Sequence, residues 1–440
     1  MKELYKMRHW IAGLQWLFFI FANIVVIPIT IGEAFKLSQE TIVVLMQFSF
    51  MVTGLACLFQ VILGHKRPIM EGQSGLWWGI ILTLVVTTSA QGMPLDVLGG
   101  SFTVGVLISA GITILIGITG LGPKIAKLFN PSVMGVFIFL LGCTLIQIFL
   151  KGMLGIPFGY AADTARFDLS ISLLSIIIVV LVIIISVKFP IKIRSYSLLI
   201  GILLGWILHT IFFGSSSGGT SVDSLSFMLF PLGTPTWNLG VILTVVLAGL
   251  LNTANTFGAL KGTESILQTK TSKKEYARSF TITGLFTGVA GIFGLVPYTS
   301  YISTIGFLRQ TNILDRLPFI LGSVMFFIMG VFPTIGYFFS LLPLSVGSAV
   351  MFVAYLQLLL SALDYFKQVL LNSLNIYRVA IPLFIGIMIM SFPATYFESL
   401  PSFVRPFLSN GLLVGILMAL VLENTIKWDK FGESSKERTS

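Results

Sequence analysis

The stretch that decides the fold is GLVPYTSYISTIGF, Gly294 to Phe307. Six hydroxyl side chains, Tyr298, Thr299, Ser300, Tyr301, Ser303 and Thr304, follow one proline there, between two apolar blocks. The rest of the chain makes such a break costly. Its 440 residues are 55% hydrophobic and only 10% charged, with a mean hydropathy of +0.97. Runs such as LSIIIVVLVIII would expose far too much apolar side chain to water in a soluble domain. The composition therefore predicts an all-α polytopic membrane protein.

A span needs roughly 20 apolar residues to cross the hydrocarbon. Clusters of Lys, Arg, Pro, Gly and Asn delimit fourteen candidate segments, centred near Phe21, Met51, Ile81, Ala110, Leu140, Val179, Leu204, Leu250, Phe286, Ile305, Phe327, Leu356, Ile385 and Ile416. The first apolar block is too long for a cleavable signal core and has no small-residue cleavage site after it, so the first span is expected to serve as the targeting signal.

The net charge of +10 raises the question of a nucleic-acid partner. With a cytoplasmic N-terminus, 23 of the 27 Lys and Arg residues fall on inside segments, leaving Lys36, Lys151, Arg166 and Arg405 outside. The positive-inside rule accounts for this balance, predicts both termini in the cytoplasm, and removes any need for nucleic acid. Cys57 and Cys143 fall inside spans, where a thiol is usually a small apolar residue. His9, His65 and His209 are far apart, and no metal-ligand spacing, phosphate loop or nucleophile motif occurs, which argues against an enzyme.

Seven segments precede the polar loop GSSSGGTSVDS and seven follow it. An odd-numbered unit begins inside and ends outside, so a second copy would be inverted. NPSVMGVFIFL and LPLSVGSAVMF share a Pro and Gly spacing, Pro131 with Gly135 and Pro343 with Gly347, each in the fifth segment of its half. The expected division is a first repeat at 1–213, an extracellular linker at 214–237, a second repeat at 238–426 and a cytoplasmic tail at 427–440. In such transporters the substrate site lies near the bilayer midplane between discontinuous helices. The third segment of each half is the odd one. PIMEGQSGLWWG, Pro68 to Gly79, and the opening stretch both place Pro, polar residues and Gly before an apolar run too short to cross. Irregular backbone at that depth is tolerated where it lines a cavity, and a half-helix beginning there aims its positive end at that cavity.

These segments resemble the nucleobase/ascorbate transporter family, also called nucleobase:cation symporter family 2, over nearly the whole chain. QWLFFIFANIVVIP, from Gln15, is similar to the first-span pattern, with Trp16 where His is usual. In the third segment Gly72, Gln73 and Ser74 occupy the Gly-Ser-Ser places. In the tenth, Gly294, Pro297, Thr299, Tyr301 and Gly306 match the family segment. The resemblance implies fourteen segments in two inverted repeats, with a core of spans 1–4 and 8–11 and a gate of spans 5–7 and 12–14. It further implies short strands in segments 3 and 10, substrate between them and the eighth span, and a homodimer in the cell membrane.

Departures fall on the chemistry. In NTANTFGALKGT the positions of the usual carboxylate, Gly and His or Asp are Asn255, Gly258 and Ala259. In the tenth segment the second carboxylate and following Asn are Ser303 and Thr304. An amide such as Asn255 offers a donor and an acceptor to a planar base, against an interhelical hydrogen bond as its plainer role. The expected substrate-binding set is Gln73, Ser74, Asn255, Phe257, Tyr301, Ile302, Ser303 and Thr304, with Tyr301 or Phe257 covering the ring. Glu71 is the one acid in either discontinuous segment. Intramembrane carboxylates are functional suspects, so Glu71 is the proton-coupling candidate, or else it sits at the cytoplasmic mouth, four residues from Arg67, and pairs with a basic residue there. Glu264 is expected to pair with Lys261, Trp77 and Trp78 to pack, and Gly201 and Gly205 to allow close helix contact. No cofactor is expected beyond a proton as coupling ion. The reading is a purine permease in preference to a uracil permease, with a small-anion transporter or channel on the same fold, or a substrate sensor without transport, as rivals.

Overall fold

The computed structural model describes residues 2–156, 166–194, 196–214 and 227–428. Positions 215–226 of the expected linker and 429–440 of the expected tail lie outside the described residues. The first half contains α1 (Lys2–Ile24), α2 (Val26–Ala34), α3 (Gln39–Ile62), β1 (Glu71–Gln73), α4 (Gly75–Ala90), α5 (Leu95–Ile118), α6 (Gly122–Ala126), α7 (Pro131–Met153), α8 (Leu169–Lys188), α9 (Ile191–Arg194) and α10 (Ser197–Phe213). The second contains α11 (Leu239–Leu267), α12 (Lys273–Phe293), β2 (Tyr298–Ser300), α13 (Thr304–Thr311), α14 (Arg316–Val331), α15 (Pro333–Ser340), α16 (Leu344–Phe366), α17 (Tyr377–Ser391), α18 (Arg405–Leu408) and α19 (Gly411–Thr425).

Each of the fourteen segment centres read from the sequence falls inside one of these helices. Among the described residues, seven helices are long and apolar enough to cross a bilayer alone, or eight if α14 and α15, bent by 88°, are one span. The others are shorter: α4 has 16 residues and α13 only 8. These two are the half-helices that follow the strands.

Packing sorts the helices. α5 lies along α12 and α11, and α14 along α3 and α1; α7 lies along α16, with α8, α10, α17 and α19 around that pair. Small residues set the closest approaches. A Cβ on Gly54 of α3 would come within 2.7 Å of the Phe327 backbone nitrogen on α14. Gly201 and Gly205 sit against Val182 and Ile178 of α8 and Val350 and Val346 of α16, the close packing their spacing predicts.

The chain reaches the site by specific terminators. α12 starts with a capping box in which Ser272 and Glu275 satisfy each other's backbone N–H groups. It ends at Gly294, whose φ of 65° suits a residue without a Cβ and turns the chain through Pro297 into β2. The strands pair antiparallel, with Glu71 opposite Ser300, Gly72 opposite Thr299 and Gln73 opposite Tyr298. Ser74 N donates to Pro297 O (2.8 Å) and Tyr301 N to Met70 O (2.9 Å), extending the ladder by one bond at each end. Two segments 225 or so residues apart thus satisfy each other's backbone where a bilayer supplies no water.

Candidate functional site where the two strands cross

Strand alternation gives the pair two different faces. Glu71 and Ser300 turn toward α3 and α12, whereas Gly72 faces Ile24 of α1 and the Tyr301 ring, and Thr299 faces α11. The Glu71 side chain is fully buried. Its carboxylate accepts from Thr283 Oγ1 at 2.6 Å and from Ser300 Oγ at 2.7 Å. Gln60 Nε2 donates to Thr283 Oγ1 and to Ser279 O, both at 3.1 Å, and so holds the hydroxyl that holds the carboxylate. Cys57 Sγ lies 3.1 Å from the Glu71 carbonyl oxygen. The alternative role for Glu71, pairing with a basic residue at the cytoplasmic mouth, is corrected here: among the described residues no Lys or Arg forms an ion pair with it. Arg67 precedes the strand; it reaches Leu260 O at 3.0 Å, Thr263 Oγ1 at 3.3 Å and Glu275 Oε1 at 3.5 Å instead. Burial, then the nearby Arg67 and Arg316 guanidinium groups, push His65 in the same loop down to about 3, so its imidazole is neutral.

The other half of the site is organised by Asn252. Its Oδ1 accepts from Ser74 Oγ at 2.6 Å and from Asn255 Nδ2 at 3.2 Å, while its Nδ2 donates to Tyr298 O at 3.0 Å. One amide therefore fastens the end of β1, the start of β2 and the middle of α11. Thr256 Oγ1 lies 3.5 Å from Thr299 Oγ1 beside it. Because Ser74 spends its hydroxyl on Asn252, it does not cap α4. The first-turn N–H groups of α4 keep their positive end uncapped, against Leu145 of α7 and Tyr355 of α16. α13 differs: Thr304 N and Ile305 N bond back to Tyr301 O (3.2 Å) and Ile302 O (3.0 Å). The expectation that both half-helices offer free N–H groups holds for α4 and is corrected for α13, whose tight entry consumes them.

The sequence-expected residues scatter around this crossing. Ser74 and Asn255 meet at Asn252. The Tyr301 hydroxyl donates to Gln73 O, and Gln73 Nε2 donates to Ser49 Oγ at 2.7 Å, so Gln73 anchors β1 to α3. Thr304 Oγ1 accepts from Met70 N at 3.3 Å. Ile302 is half-buried against Gly258, and Ser303 is exposed. Phe257 packs among Phe129, Tyr276 and Phe280, an aromatic cluster on the α5 and α12 side of α11. Trp16 is buried against Phe19, Phe307 and Phe319. Trp78 is buried and donates to Thr30 Oγ1 at 2.8 Å, and Lys261 Nζ lies 2.9 Å from Glu264 Oε2, as their sequence reading had it. Asn252, Thr256, Gln60, Thr283 and Ser300 went unmarked. Asn252 was within reach of the sequence, being one helical turn before Asn255 in NTANTFG; the hydroxyls of α12 carry no such local signal.

A cavity of about 10 Å³, the space of a single water, adjoins the hub. Ser109, Thr113, Asn252, Thr256, Thr283 and Thr287 are among the residues of its wall. Among the described residues, no three His, Cys, Asp or Glu side chains gather as a metal ion would require.

Residues 7–395 match the family model Xan_ur_permease, described as "Permease family". The chain belongs to the nucleobase/ascorbate transporter family. This permease is 30% identical over 436 residues to the putative purine permease YwdJ of Bacillus subtilis strain 168, covering 95% of this chain and 96% of that one. It is 26% identical to the xanthine permease of the same organism, with 96% and 94% covered, and 26% identical to the uric acid transporter UacT of Escherichia coli K12, with 94% and 84% covered. Among solved structures, the transmembrane domain of the cyanobacterial bicarbonate transporter BicA superposes with a TM-score of 0.59 at 15% identity, covering 93% of this chain and 96% of that one. SLC26A9 gives 0.60 at 12% identity, covering 97% and 67%. At such identities these two speak for the fold alone. The permease is a multi-pass membrane transporter and not an enzyme.

Proposed function

We propose that this permease carries a nucleobase, a purine in preference to uracil, with the base held where the strand pair meets α11 and the start of α4. The observation that carries the reading is the state of the two amides. Asn255 engages its Nδ2 with Asn252, and that is the one hydrogen bond its side chain makes among the described residues, so its carbonyl oxygen is left for a ligand. That oxygen and the uncapped N–H groups of α4 supply an acceptor and donors, matching the N–H and C=O groups on the edge of an oxopurine. The names of the relatives, purine, xanthine and uric acid permeases, support the same class. Gln73, Tyr301, Ile302, Ser303 and Thr304 then shape the pocket rim through the strand ends, and Phe257 stiffens α11 behind it.

The transport cycle we infer has fourteen segments in two inverted repeats. A core built on the strand pair rocks against a gate built on α7 and α16, in a homodimer whose termini both face the cytoplasm of the cell. Glu71 carries the coupling proton. Its burial makes a net charge change there costly, and two hydroxyl donors allow either protonation state to be bonded. The decisive experiment is uptake of labelled xanthine, guanine, hypoxanthine, urate and uracil into proteoliposomes, with and without an inward proton gradient. Purine accumulation that collapses with the gradient is the expected result. Equilibration without accumulation would make the protein a facilitator, and absence of flux for every base would refute the purine reading in favour of an anion substrate or a sensor.

A further inference from the structure

The sequence of α12 carries polar residues four apart, Glu275, Ser279, Thr283 and Thr287, which at 3.6 residues per turn form one stripe. Ser279, Thr283 and Thr287 are buried inside an otherwise apolar helix bundle, while the Glu275 side chain is 21% exposed at the end rich in lysine. From Glu275 to Thr283 the stripe climbs about 12 Å at 1.5 Å per residue. Its upper member donates to Glu71, and its lower member lies 3.5 Å from Arg67. Gln60 of α3 faces it, and His65 lies in the loop that follows α3, next to Arg67; both are fully buried.

Buried polar atoms nearly always find a hydrogen-bond partner. Here Gln60 Oε1, Ser279 Oγ and His65 Nε2 find none among the described residues. Such atoms on α12, on the α3 side chain bonded to it and in the loop after α3 mark positions that ordered water satisfies in proteins. We propose that this stripe is a water-lined proton route joining Glu71 to the cytoplasmic face through the interior of the core, separate from the path taken by the base. The proposal rests on the reading of Glu71 as the coupling carboxyl. In the step, the O–H bond of the Glu71 carboxyl breaks and its proton passes to a water held by Thr283 and Gln60. Each water or hydroxyl along the stripe then accepts one proton and gives up another, and one proton leaves beside Glu275 into bulk water.

The charged and titratable groups around the route suit this. Glu71 faces Cys57 and Gln60 from α3, Tyr298 from β2 and Thr283 from α12. At the mouth the Arg67 charge, which alone would repel an excess proton, is offset by Glu275. His65, neutral in its loop, acts as a hydrogen-bonding wall.

The test uses the full-length protein in proteoliposomes loaded with a pH-sensitive dye. Proton influx driven by external xanthine is recorded beside exchange of labelled for unlabelled xanthine at equal pH, which needs no net proton transfer. Ser279→Val and Gln60→Met remove route groups; Ser279→Thr keeps the hydroxyl. Expected are proton influx slowed roughly tenfold or more in the first two, exchange close to that of the parent for Ser279→Val, and parent-like influx for Ser279→Thr. Unchanged influx in both route variants would overturn the proposal. So would a fall of exchange in step with influx, which would make the change a packing defect. If the parent itself moves xanthine without protons, the coupling role of Glu71 fails first, and that outcome is visible before any variant is made.

Discussion

Replacing Asn252 by alanine is the sharpest perturbation of the site, because one amide there closes three hydrogen bonds between segments far apart in sequence. Each such bond is worth about 0.5–1.5 kcal/mol net, and leaving a buried partner unsatisfied costs about 1–3 kcal/mol. Ser74 Oγ and Asn255 Nδ2 lose their acceptor and Tyr298 O loses its donor, so the crossing loses roughly 2–4 kcal/mol if water satisfies part of the gap. Converted at 1.4 kcal/mol per decade, uptake clearance should fall by roughly 30- to 1,000-fold. Asn252→Asp keeps the acceptor at nearly the same size but turns an oxygen toward Tyr298 O, and should fall between parent and alanine. The assay is initial-rate uptake of labelled xanthine, normalised to protein in the membrane, with size-exclusion profiles to confirm folding. Parent-like uptake by Asn252→Ala at equal abundance would refute the view that the amide fastens the strands to α11.

Glu71→Gln retains the shape of the buried carboxyl but no titratable proton; it should abolish accumulation against a gradient while sparing exchange, and equal accumulation in parent and mutant would return Glu71 to a structural role. Gly54→Ala places a methyl within 2.7–2.8 Å of backbone atoms of Phe327 and Ser323. The two helices must separate at a cost of about 1–3 kcal/mol, so thermal challenge before size exclusion should show a lower midpoint, and an unchanged midpoint would contradict the packing. Arg378 bonds Glu423 through Nε at 2.5 Å and Nη2 at 2.6 Å, and Asn130 Nδ2 donates to the same carboxylate at 2.6 Å. With the Glu423 side chain only 2% exposed, Arg378→Ala should cost about 3–5 kcal/mol by stranding the charge. The double change Arg378→Met with Glu423→Leu should recover most of that stability, and an alanine variant as stable as the parent would refute the account.

How much of this was legible in the sequence depends on the range of the interaction. The discontinuity at Pro297 and at Pro68 is a local signal, since Pro, Gly and hydroxyl residues in an apolar chain announce a broken helix before any partner is known. The antiparallel register of Glu71 with Ser300 is not local, and neither is the choice of Thr283 as donor to Glu71; both depend on how α3 and α12 close around the strands. Phe257 illustrates the converse. An aromatic residue two positions after Asn255 looked placed to cover a base, but a helix turns about 200° over that interval, and the ring joins Phe280 and Tyr276 instead. Ser303 matched a functional position in the resemblance, yet it is exposed and uncapping at the entry to α13.

The placement of the acid bears most directly on mechanism. At Asn255 and Ser303, where the resemblance leads one to expect carboxylates beside the substrate, this chain carries neutral side chains, and a buried acid, Glu71, stands on β1, turned to the α12 face of the strand pair. On the reading proposed above, base recognition and proton handling then occupy different faces of the same two strands. They remain mechanically joined, because Tyr298 O is fixed by Asn252 and Ser300, two residues on, donates to Glu71. Three residues of strand have little freedom to shift one end without the other, since each backbone bond of the short ladder would be left unpaired away from water. On that reading, a base drawn against Asn255 and the start of α4 would set the position of the Ser300 hydroxyl. Coupling by backbone register, in place of direct contact between base and acid, would follow on the proposed reading from having the carboxyl on β1 instead of α11.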